Sequence, residues 1–123
     1  HLPMTKQTRS MIRREQLMLM KPDALLINTA RGGIINETDL HDVMCANHLG
    51  GAAIDVFLEE PYTGPLKDIN RCLLTSHMGS MSIDCRSRME IEATEEAVRY
   101  LRSLPLLCSV PEEEYAAQEI QNE

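Results

Sequence analysis

Three short, continuous apolar runs punctuate this chain, and the segments between them carry apolar residues at helical spacing. The runs are Ala24-Leu25-Leu26-Ile27-Asn28, Gly51-Ala52-Ala53-Ile54 and Cys72-Leu73-Leu74-Thr75, each followed by glycine, proline or serine within seven residues. Such runs predict strands at about 24–28, 51–54 and 72–75, buried on both faces as in a parallel sheet. Residues 5–20 read as a helix anchored by Met11, Ile12, Leu17 and Met20 and stopped by Lys21-Pro22. Asn36 is a good N-cap, with Glu37 and Asp39 in the first turn and Leu40, Val43 and Met44 on one face. Residues 62–71 contain Gly64 and Pro65 and read as a loop. Ser80 or Ser82 opens a long helix to about Arg102, with Cys85, Met89, Ala93, Ala97 and Tyr100 or Leu101 as its buried stripe. On its wet side, Arg86–Glu90, Arg88–Glu92 and Glu95–Arg99 stand at i,i+4 spacing. Pro105 breaks the chain, and Val110 to Glu123 reads as an acidic tail with one weak helix after Pro111.

Strands separated by helices imply parallel pairing through right-handed crossovers. A parallel sheet delivers every strand's C-terminal end to one edge, where ligands bind. Polar residues follow all three runs. Arg31 lies in the turn Thr29-Ala30-Arg31-Gly32-Gly33 after the first, and its guanidinium can grip a carboxylate with two parallel hydrogen bonds. Gly32 and Gly33 would let backbone pass close to a ligand. Asp55 ends the second run, with Glu59 and Glu60 just beyond; one of these could hold an imidazole in the right tautomer and stabilise its cation. His77 follows the third run and could take or give a proton near neutral pH. Singly, each has an ordinary reading: a surface arginine, a solvated acidic loop, a hydrogen-bonding histidine. Their common placement after successive strands argues for an enzyme site.

Composition narrows the class. The 123 residues suffice for one small domain, and 43% hydrophobic with 25% charged residues is ordinary for a globular protein. A formal net charge of −7 argues against a nucleic-acid or anionic-membrane surface. No run is long enough to span a bilayer, so no membrane partner is expected. Cys45, Cys72, Cys85 and Cys108 show no metal-ligand spacing; no metal is expected, and scattered thiols fit the cytoplasm.

The residues resemble the D-isomer-specific 2-hydroxyacid dehydrogenases. The similarity runs through His1-Leu2-Pro3-Met4-Thr5, Leu26-Ile27-Asn28-Thr29-Ala30-Arg31-Gly32-Gly33, Gly51-Ala52-Ala53-Ile54-Asp55-Val56-Phe57 with Glu60-Pro61, and Leu74-Thr75-Ser76-His77-Met78-Gly79-Ser80. It covers about residues 1–103 and lies nearest the phosphoglycerate-dehydrogenase-like branch. The resemblance implies a partial α/β fold: a parallel Rossmann-type sheet, the second half of a doubly wound dinucleotide-binding domain, plus a long C-terminal helix. Residues 1–103 would be the C-terminal portion of the NAD-binding domain and 104–123 an acidic tail. It further implies Arg31, Glu60 and His77 as the catalytic trio, with Arg31 on the substrate carboxylate and Glu60 as the histidine's partner. Pro3, Thr5, Thr29, Ala30, Arg31, Asp55, His77 and Gly79 would contact NAD, or NADP. Ser76 and Met78 stand where the family usually has proline and isoleucine; neither change removes a reacting group.

No Gly-x-Gly-x-x-Gly occurs in the chain, so the pyrophosphate-binding turn has no counterpart here. With no initiator methionine, the chain reads as a fragment of a longer enzyme, and little activity is expected of it alone. The implied reaction is hydride transfer between NAD(P) and a D-2-hydroxy or 2-oxo acid, in a full-length homodimer. The alternative is an interaction module similar to the C-terminal-binding-protein corepressors, or an inactive truncated paralogue. Formate dehydrogenases share the fold but pair their histidine with glutamine, and Glu60 argues against them.

Overall fold

The computed structural model describes residues 2–112, and the weak helix expected after Pro111 lies almost wholly outside them. The chain divides into two compact units, residues 1–78 and 79–123.

The first unit is a three-stranded parallel sheet, β1 (Leu25–Asn28), β2 (Gly51–Ile54) and β3 (Cys72–Leu74), in the order β1-β2-β3. The three apolar runs thus become the three strands, within a residue of the expected bounds. Side chains alternate across the pleat. Leu26, Ile54 and Leu74 face a core built on Leu17, Leu40, Val43, Met44, Leu49 and Leu66, all fully buried. The opposite face departs from expectation. Leu25, Ile27 and Leu73 are 70%, 67% and 65% exposed, so within this unit the strands are covered on one face. The helices of this unit pack on one side of the sheet, and continuous apolar character in a strand does not say which side that is.

The helix α2 (Glu37–Cys45) starts where the sequence places it: the Asn36 side chain accepts the Asp39 N–H at 3.0 Å. Its far end is held by Arg71, whose guanidinium donates to the carbonyls of Leu49 and Met44 and to Asn47 Oδ1. The expected helix over 5–20 is mostly absent; α1 spans Arg14–Met18 only. Thr5 and Thr8 turn their hydroxyls on the local backbone, with Thr8 Oγ1 donating to the Pro3 carbonyl at 2.7 Å. Such side-chain bonds compete with helix formation. Ser10 then adopts φ 49°, and Ile12 forms a parallel bridge with Ile35. A long-range backbone pairing therefore takes a residue whose spacing looked helical.

The second unit carries α3 (Ile83–Leu101), capped by Ser82, whose hydroxyl accepts the Cys85 N–H at 3.2 Å. No residue of α3 is buried, which corrects the expected stripe: Met89 is 54% exposed, Tyr100 74% and Leu101 81%. Among the described residues of this unit, the short segment after the helix folds back on it. The Glu96 carboxylate accepts the N–H groups of Leu107 and Cys108, and Arg99 donates to the Pro105 carbonyl. Arg86–Glu90 pairs as expected, whereas Arg99 pairs with Glu96 rather than Glu95.

Candidate active site

The turn after β1 is built on Asn28. This buried polar residue donates from Nδ2 to the Arg31 carbonyl and accepts the Ala30 N–H at Oδ1, each at 3.1 Å. An asparagine that bonds backbone two and three residues on is a turn-former. Its place at the end of an apolar run, just before a glycine turn, is the sequence signal for that role. Thr29 is exposed at the mouth of the turn, and Arg31 is exposed with one Nη1 bond to the Ala30 carbonyl at 2.7 Å.

Glycine is required in this turn because of the protein itself. A Cβ on Gly32 would stand 1.9 Å from the Phe57 carbonyl oxygen and 2.6 Å from the Leu58 nitrogen. Gly33 adopts φ 76°. The close approach expected toward a ligand is, at Gly32, an approach to the turn after β2. The Arg31 turn and the Phe57–Glu60 turn are thereby locked together.

Beyond β2, Asp55 organises the His77 loop. Its carboxylate accepts the Thr75 hydroxyl at 2.5 Å and the Met78 N–H at 2.8 Å, and its carbonyl accepts the His77 N–H at 2.8 Å. Its own N–H donates to the Asn28 carbonyl at 3.0 Å, which ties the first two strand ends together. His77 has φ 53°, a left-handed conformation uncommon for residues other than glycine. The bonds from Asp55 on either side of it hold that geometry.

Of the two glutamates, Glu60 reaches the imidazole. Its Oε2 lies 3.0 Å from His77 Nδ1, while its Oε1 accepts the Phe57 N–H at 3.0 Å. The Phe57 N–H, then the His77 hydrogen bond, hold the Glu60 carboxyl below the usual carboxylate range. Glu60 therefore stays an anion against the ring, and with Nδ1 so engaged, Nε2 is the imidazole atom that can exchange a proton with a substrate. A cavity of 460 Å³ opens beside the pair, with Leu74 and the stacked rings of Phe57 and Tyr62 (centroids 4.2 Å apart) as apolar wall and Lys67 and Ser76 as polar rim. Arg31 does not line it. Burial raises the Tyr62 phenol above its ordinary range, and its oxygen accepts the Leu66 N–H at 3.2 Å.

The remaining candidates lie apart from this contact network. Pro3 and Thr5 are engaged with Thr8 in the turn that precedes α1. Gly79 opens the second unit, and apart from its two chain neighbours no described residue comes within 4 Å of where its Cβ would stand. Among the described residues, no group of three or more His, Cys, Asp or Glu side chains could hold a metal ion, and no helix is long and apolar enough to cross a membrane.

The family described as D-isomer specific 2-hydroxyacid dehydrogenase, NAD binding domain, matches residues 1–79, and the chain belongs to it. The D-3-phosphoglycerate dehydrogenase of Escherichia coli K12 is 35% identical over 106 residues, 81% of this chain and 26% of that protein. A glyoxylate reductase from Paecilomyes thermophila superposes with a TM-score of 0.86 at 29% identity, covering 92% of this chain and 35% of the other. A D-isomer specific 2-hydroxyacid dehydrogenase from Xanthobacter autotrophicus Py2, solved with NADPH and MES, has a TM-score of 0.75 at 30% identity, covering 92% and 47%. The chain thus spans about a quarter of the length of the Escherichia coli relative.

Proposed function

We propose that this chain supplies the catalytic edge and the nicotinamide-facing half of an NAD(P)-dependent D-2-hydroxyacid dehydrogenase. The observation that carries this reading is the Glu60–His77 contact of 3.0 Å at the carboxyl edge of a parallel sheet. In this reading residues 1–103 are the second part of the nucleotide-binding domain and 104–123 an acidic tail, within a cytoplasmic homodimer of longer chains.

The donors and acceptors present fit the nicotinamide end of a dinucleotide. The Asp55 carboxylate and the Thr29-Ala30 turn stand at adjacent strand ends, tied by the bond from Asp55 N–H to the Asn28 carbonyl. Asp55, Thr29 and Ala30 would hold that end, with Pro3 and Thr5 as further candidates in the same unit. No glycine turn for the pyrophosphate occurs in the sequence, so the fit extends to that half alone. When bound, the cofactor supplies or receives the hydride.

Arg31 binds the carboxylate of a small 2-hydroxy or 2-oxo acid through two parallel hydrogen bonds and draws charge from the neighbouring carbonyl. In reduction, protonated His77 delivers its Nε2 proton to the carbonyl oxygen; in oxidation, neutral His77 removes the hydroxyl proton there. Glu60 fixes the tautomer and stabilises the imidazolium.

The test is a screen of the full-length protein with NADH and NADPH against a panel of 2-oxo acids, following nicotinamide absorbance. Reduction of at least one acid is expected. Cofactor binding without reduction of any 2-oxo acid would overturn the enzymatic reading and favour a corepressor-like interaction module.

A further inference from the structure

We infer that Glu37 is a positioning residue for the Glu60–His77 pair, acting through the backbone of Leu58. This rests on the dehydrogenase reading above. Glu37 is the first residue of α2, and its Oε1 accepts the Leu58 N–H at 2.7 Å, across 21 residues of chain. The neighbouring N–H, that of Phe57, goes to Glu60 Oε1 at 3.0 Å, and Glu60 Oε2 meets His77 Nδ1 at 3.0 Å.

Two contacts behind the Glu60 turn bear on where it stands. One is the steric fit of Gly32 against Phe57, which sets how close the turn can come to Arg31. The other is Glu37, which sets its orientation by accepting the Leu58 N–H at its Oε1. The same turn must present Glu60 to a histidine on a different loop, itself held by Asp55. Because α2 is seated in the core through Leu40, Val43 and Met44, Glu37 transmits the position of a rigid helix to a short irregular loop.

A competing role is available to any carboxylate in the first turn of a helix, namely favourable interaction with the helix dipole. Two substitutions separate the roles. Glu37→Gln keeps an oxygen at the right reach and discards the charge. Glu37→Asp keeps the charge and withdraws the oxygen by one methylene. Two readouts are taken on the full-length protein: kcat with the preferred 2-oxo acid, and the midpoint of Glu60 in a carboxyl-carbon NMR titration.

Glu37→Asp is expected to lower kcat by about tenfold or more, since displacements of about 1 Å at a catalytic pair carry penalties up to about a hundredfold. It should also move the Glu60 midpoint up toward 4.5, the ordinary value from which it is depressed. Glu37→Gln should leave kcat within about threefold and the midpoint in place. The reverse pattern, with Gln impaired and Asp intact, would overturn the inference in favour of the dipole role. So would a change in thermal stability with neither readout moved. Should the unsubstituted protein reduce no 2-oxo acid, the dehydrogenase reading fails by itself, and the Glu60 midpoint in the two variants still decides whether Glu37 positions that carboxylate.

Discussion

Glu60 Oε2 and His77 Nδ1 lie 3.0 Å apart although 17 positions separate the two residues along the chain. The carboxylate comes from the turn after β2 and the imidazole from the loop after β3, so their meeting depends on two neighbouring strands ending at the same edge. The other oxygen of the same carboxylate is spent on the Phe57 N–H, so the glutamate is oriented from behind as well as from the front. An imidazole held at Nδ1 works from Nε2, and the chemistry proposed for this chain follows from that one constraint.

His77→Asn in the full-length protein should cut turnover by about 10²–10⁴-fold, the usual contribution of general acid–base assistance. Asparagine keeps a polar group of similar reach, so the dissociation constant for NADH should hold. Steady-state kinetics beside isothermal titration separate the two effects. A loss under about fivefold would show that His77 does not move the proton.

Glu60 carries a pH dependence whose sign is set by its depressed pKa. The carboxylate is bound more favourably in the folded than in the unfolded chain, so its contribution to stability is fully present above the unfolded value of 4.5. That contribution is lost as the pH falls below 4.5 and through the lower folded value. Carboxyl-carbon NMR should therefore give Glu60 a midpoint under 4.5. The stability gap between wild type and Glu60→Gln should shrink as the pH falls below 4.5. A midpoint at or above the ordinary value would mean that the Phe57 and His77 bonds do not persist in solution.

Arg31→Lys preserves charge and discards the planar two-pronged grip. We expect KM for the 2-oxo acid to rise at least about tenfold, the effect of losing roughly 1.4 kcal/mol of binding, with NADH affinity unchanged. The bland alternative is a solvent-facing turn arginine, consistent with its exposure and its single bond to the Ala30 carbonyl. Catalytic efficiency near wild type in the lysine variant would select that alternative.

Gly32→Ala and Gly79→Ala should differ sharply. A methyl group at position 32 would overlap the backbone carbonyl of Phe57, with 1.9 Å to the oxygen and 2.0 Å to the carbon, and backbone cannot swing aside as a side chain can. A stability loss of roughly 1–3 kcal/mol or more is expected from such overpacking. At Gly79 no described residue other than its chain neighbours lies within 4 Å of the added atom, and the change should stay within about 0.5 kcal/mol. Urea midpoints of the two variants check this. Equal, small shifts would mean that the Arg31 and Glu60 turns are not in contact.

What the sequence determined by itself was whatever depends on near neighbours along the chain. The three strands follow from runs of apolar residues ended by turn-formers, and the starts of α2 and α3 follow from Asn36 and Ser82, whose side chains bond N–H groups three residues on. What the tertiary structure decided were pairings between distant segments. Ile12 left a helical pattern because Ile35 offered it a backbone partner. Glu60 rather than Glu59 faces His77 because of how one turn is held from Phe57, Gly32 and Glu37. Leu25, Ile27 and Leu73 read like the rest of their strands and yet stand exposed. An apolar side chain records that burial would be favourable, while the layer that buries it is supplied by another part of the fold.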